Sequence, residues 1–75
     1  MSKHDEIRDQ VMAILTEADL LDDHGTLIAP DSMGIVLIAM EIEVRWAPIP
    51  QADLKVSNFN SIDSIVAMVE TLLQP

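Results

Sequence analysis

Asp31-Ser32-Met33-Gly34 opens the longest apolar run of this chain, which extends from Ile35 to Trp46 and follows Ala29-Pro30. An Asp placed just before a helix is a favoured N-cap, because its carboxylate accepts amide hydrogens that the first turn leaves unpaired. Ser32 then falls in that first turn, with its hydroxyl close to solvent. A helix N-terminus presents free N–H groups and partial positive charge, and it accommodates a phosphate. The Asp-Ser pair at this helix start is therefore a place to attach a phosphodiester.

The segment from Met33 to roughly Arg45 reads as a helix. Ile35, Ile38, Ala39, Ile42 and Trp46 form one stripe, assigned to the core. Gly34, Leu37, Glu41 and Val44 lie on another face. A helix apolar nearly all round is unusual in so small a domain. Two readings are open. Leu37, Met40, Glu41 and Val44 form a partner-binding face, or the preceding loop covers the helix more fully. Trp46-Ala47-Pro48-Ile49-Pro50 ends the helix, since two prolines cannot continue it. Trp46 reads as a core anchor. Gln51 to Leu54 reads as one short helical turn, with Leu54 and Val56 pointing inward. Ser57-Asn58-Phe59-Asn60 forms a turn with Phe59 as an inward plug. Ser61 then caps a last helix, Ile62 to Leu73, whose Ile62, Ile65, Val66, Val69, Leu72 and Leu73 mark one face.

Upstream, Ser2 to Ala18 reads as the first helix, capped by Ser2. Asp5 and Glu6 stand in its first turn, where negative charge is favoured. Ile7, Val11, Ile14, Leu15 and Ala18 recur at the spacing of one face. His4 reads as a solvated terminal residue. Asp19 to Pro30 is a loop, long for a bare connection. Leu20, Leu21, Leu27 and Ile28 tuck it onto the helices, and Asp22-Asp23-His24-Gly25 is a turn cluster. Asp22, Asp23 and His24 have the side-chain types of a metal site. They are adjacent, however, and no second cluster accompanies them, so no metal is assigned.

The 75 residues make one domain, 1–75, with no Cys and 49% hydrophobic residues. That content is too high for a disordered chain. Thirteen acidic residues against four basic ones give a net charge of −9. This opposes nucleic-acid binding, which demands Lys and Arg. It either favours partners with basic surfaces or simply keeps a small protein soluble. No apolar run reaches the roughly 20 residues of a membrane span. Lys3-His4-Asp5-Glu6 does not open a signal peptide, so a cytoplasmic location is expected.

Asp31-Ser32-Met33-Gly34, followed by an apolar helix, resembles the attachment motif of the acyl and peptidyl carrier proteins. Ile49-Pro50 before a short helical turn is similar to that family as well, and the resemblance runs roughly from Ile7 to Leu73. It implies an all-α fold, a small four-helix bundle of three main helices and one short one, in up-down order with a long first loop. It implies that a phosphopantetheinyl transferase attaches 4′-phosphopantetheine from coenzyme A to Ser32, with Asp31, Met33 and Gly34 forming the site around it. The arm then supplies a thiol on which an acyl or aminoacyl group is held as a thioester. An adenylating ligase or acyltransferase loads it, and a downstream enzyme accepts the cargo. Two departures are visible. Leu27-Ile28-Ala29-Pro30 fills the space where many carriers have a Gly, and Gly34 and Leu37 stand where fatty-acid carriers often have acids.

Asp31-Ser32-Met33-Gly34 looks like the motif of discrete aminoacyl carriers, and fatty-acid carriers more often have an acid where Gly34 stands. The resemblance therefore implies a stand-alone carrier of polyketide, non-ribosomal peptide or aminoacyl-transfer pathways, including D-alanyl transfer. A fatty-acid carrier is the alternative within the class. From another class, the alternative is a helical interaction module whose Ser32 is never modified. The chain itself is not expected to be an enzyme. Ser32 has no evident base, and His4 and His24 both lie in polar segments. Gly34, lacking a side chain, is expected to leave room for the arm or an approaching enzyme.

Overall fold

A computed structural model describes residues 3–28 and 30–74. The expected Ser2 cap lies outside the described residues, as does Ala29. The described residues form three α-helices: α1 (Lys3–Glu17), α2 (Ser32–Arg45) and α3 (Ile62–Leu72). Two single 3-10 turns, Gln51–Asp53 and Val56–Asn58, separate α2 from α3. The described residues contain no strand, only an isolated antiparallel bridge between Leu21 and Leu27. The all-helical class follows the apolar spacing, but the short helix expected over Gln51–Leu54 is one 3-10 turn. The second 3-10 turn, at Val56–Asn58, overlaps the turn expected over Ser57–Asn60, and Phe59 is buried as expected.

The expected apolar faces largely make the core. Ile7, Val11, Ile14 and Leu15 of α1 are buried, as are Ile38, Ala39 and Ile42 of α2 and Ile65, Val66, Met68 and Val69 of α3. Ile49 and Phe59 join them, and Phe59 is the bulkiest of the fully buried side chains. Ile35 and Trp46 are only half-buried and pack against the edge of the core.

Side-chain contacts show the helix directions. His4 Nδ1 lies 2.5 Å from Glu70 Oε1, and Arg8 Nη1 donates to Asp63 Oδ1 at 2.9 Å, so α1 and α3 run in opposite senses. Leu37 and Glu41 share a cleft with Ile14, Glu17 and Ala18, and Arg45 Nη1 reaches Gln10 Oε1 at 3.4 Å, so α2 also opposes α1. His4 is exposed to solvent as expected, and it also pairs with Glu70 of α3.

α1 ends in a defined way. Leu20 N–H donates to Leu15 O and Asp19 N–H to Thr16 O, at 2.9 and 3.1 Å. Asp19 takes a left-handed φ of 59°. This is the Schellman arrangement, with Asp where Gly is usual and Leu20 folded back toward Leu15. The following residues form a small tongue. Asp22 Oδ1 accepts from His24 N and Thr26 N, Gly25 turns the chain at φ 75°, and Ile28 N–H returns to Leu20 O at 2.7 Å. Asp22, offered by the sequence as a metal-ligand type, holds the turn here. Leu20, Leu21 and Leu27 pack on the core as expected, whereas Ile28 is exposed because the tongue leaves it on its outer side.

Candidate functional site

Asp31 has extended backbone angles and its Oδ1 accepts from Gly34 N at 2.8 Å. Ile35 N–H donates to Asp31 O at 2.9 Å, closing the first helical turn. The carboxylate therefore caps α2 as its position demands. Ser32 is the first residue of α2 and is exposed, as is Met33 beside it.

Gly34 departs from its expected role. It is buried, and a Cβ built on it would lie 2.9 Å from Pro30 Cβ and 3.8 Å from Leu20 Cδ1. The glycine lets the loop close onto the first turn of α2, rather than leaving space for an incoming group. It shares the Asp-Ser stretch with the site but faces inward.

Leu37, Met40, Glu41 and Val44 are all exposed, and Met33 and Val36 extend the same outer side. These apolar positions recur at three- and four-residue intervals, so they form a ridge along α2. The loop covers α2 at Gly34 and leaves this ridge open. Grooves flank it. One of about 310 Å³ runs against α1 between Leu37, Met40 and Glu41 on one wall and Ile14, Glu17 and Ala18 on the other. The second, about 460 Å³, has Val36, Ala39 and Met40 on one wall and Leu54 and Val56 on the other, with Ser32 among its lining residues.

Leu54 and Val56 were expected to point inward. They are instead 45% and 67% exposed. Pro48 and Pro50 fix an extended entry, and the 3-10 turns that follow have about three residues per turn. Ile49 and Phe59 take the inward places of this segment, and the two intervening apolar side chains become a wall of the second groove. This wall is the part of the site that sequence reasoning missed. Two apolar residues flanking a polar Lys55 between turn signals carried no period by which to assign a face.

The carboxylates of α2 are already engaged. Glu41 Oε2 lies 3.7 Å from Arg45 Nε, and Glu43 Oε2 accepts from Ile49 N at 3.2 Å. Glu43 thereby steadies the link that carries the groove's second wall. Neither histidine meets Ser32 in a described hydrogen bond: His4 pairs with Glu70, and the His24 backbone N–H belongs to the Asp22 turn.

No family model, no curated protein and no solved structure matches this chain.

Proposed function

We propose that this chain is a carrier domain that bears 4′-phosphopantetheine on Ser32. The observation that carries the reading is the placement of Ser32: exposed, first in α2, directly after the capping Asp31, and on the lining of an apolar groove. The residues present fit such a group. The helix start offers amide hydrogens and positive potential to the phosphodiester, while the Asp31 carboxylate is turned onto Gly34 N–H. In this reading the 3-10 turn after Ile49-Pro50 stands for the short helix of a carrier-type four-helix bundle. When bound, the arm supplies the thiol that the chain lacks and holds an acyl or aminoacyl group as a thioester.

The protein's own residues then have limited tasks. Asp31 fixes the first turn and so the bearing of Ser32. Gly34 and Pro30 hold that turn against the loop. The ridge of Leu37, Met40 and Val44, with Glu41, meets partner enzymes: the phosphopantetheinyl transferase, the adenylating ligase or acyltransferase that loads the arm, and the acceptor. Tethering raises the local concentration of the cargo at those enzymes without catalysis by the carrier. A cytoplasmic stand-alone carrier of polyketide, non-ribosomal peptide or aminoacyl-transfer chemistry is the preferred setting. The exposed ridge also favours a second reading, a helical interaction module with an unmodified Ser32.

The two readings separate on intact mass. The chain is incubated with coenzyme A, magnesium and a broad-specificity phosphopantetheinyl transferase beside a control carrier. One phosphopantetheine is expected on the wild type and none on Ser32→Ala. An unmodified wild type, with the control modified, rejects the carrier reading.

A further inference from the structure

We infer that Met33 and Met40 make the outer face of α2 an oxidation-sensitive surface, which a hydroperoxide converts from apolar to polar. The chain has no Cys and five Met, so its sulfur chemistry rests on thioethers. Met33 and Met40 are 68% and 57% exposed, whereas Met68 is 6% exposed within the core. Met12 is half-buried on α1. The exposed pair is not scattered. Met33 adjoins Ser32, and Met40 lines both grooves beside the α2 ridge.

The step needs only the peroxide. A sulfur lone pair attacks one peroxide oxygen, an S–O bond forms and the O–O bond breaks. The transferred oxygen gives up its proton and the leaving oxygen takes one, so that the products are the sulfoxide and, when the oxidant is hydrogen peroxide, water. Sulfur is oxidised by two electrons and the peroxide is reduced by two. The sulfoxide is polar and a strong hydrogen-bond acceptor, so it resists the dehydration that apolar contact requires. Because Met40 stands between the grooves, its oxidation changes both at once. Met68 reacts only when the core opens, and that event is rarer than surface encounter. None of this depends on whether Ser32 carries an arm.

The test treats the full chain with dilute hydrogen peroxide and follows each methionine by peptide mass mapping. Met33 and Met40 are expected to oxidise at least about tenfold faster than Met68, with far-ultraviolet circular dichroism unchanged. The native oxidised protein should elute earlier from a hydrophobic-interaction column. The M33L/M40L double variant, treated identically, should keep its retention. Equal rates at Met68, loss of helicity as Met33 and Met40 react, or unchanged retention of the wild type would each overturn the inference.

Discussion

Pro30 closes on Gly34 so tightly that a Cβ on the glycine would sit 2.9 Å from the Cβ of the proline ring. At an exposed helix position, Ala is favoured over Gly by about 1 kcal/mol. Here the added methyl meets a ring with no alternative rotamer, and overpacking of this kind costs about 1–3 kcal/mol. Gly34→Ala is therefore expected to lower stability by about 1 kcal/mol net, read as a lower urea midpoint with an unchanged m-value. A raised midpoint would mean that the loop yields easily.

Asp31 acts on the same turn through its carboxylate. Asp31→Ala should cost about 1 kcal/mol, while Asp31→Asn keeps most of the cap. In a domain of this size that loss lowers Tm by about 4–8 °C. Thermal unfolding of the two variants checks this. Equal losses in Asn and Ala would remove the cap as the explanation.

Asp19 offers the opposite sign. Its φ of 59° holds a residue with a Cβ in the left-handed region, at a helix end where Gly is usual. Relief of that strain by Asp19→Gly is expected to add about 0.5–1 kcal/mol, less some entropy lost from the freer unfolded chain. Chemical denaturation reads the gain. A clear destabilisation would show that Asp19 does more than end α1.

The ridge and the core should respond differently to substitution. Val44→Glu and Leu37→Glu alter exposed positions and should shift stability by no more than about 0.5 kcal/mol. Phe59→Ala, at a fully buried position, should cost about 3–5 kcal/mol and leave little or no folded protein. On the carrier reading, both Glu variants slow transfer from the cognate loading enzyme while circular dichroism stays native. Unaltered transfer kinetics in both would remove the ridge from docking.

The sequence carried the helices because their signals are local. Asp31 and Ser61 stand at cap positions, and both caps form, with Ser61 Oγ accepting from Ser64 N at 3.0 Å. The apolar stripes of α1 and α3 have a clear period, and their buried residues follow it. Ser32 was legible for the same reason, as the residue after a cap. What was not legible depends on neighbours distant in the chain. Nothing about Gly34 alone says that Pro30 and Leu20 press on it. Leu54 and Val56 sit where prolines and 3-10 turns set the direction of each side chain. His4 meets a carboxylate that arrives from the far end of the sequence.

The pairing of His4 with Glu70 marks a polarity of the whole molecule. α1 carries the chain away from that contact, and its far end lies beside the first turn of α2, where Leu20 approaches Gly34. Any tag or neighbouring domain joined ahead of α1 or behind α3 therefore hangs from one pole, and Ser32 occupies the other. Immobilised by either end, the molecule would hold its serine outward, toward whatever visits it.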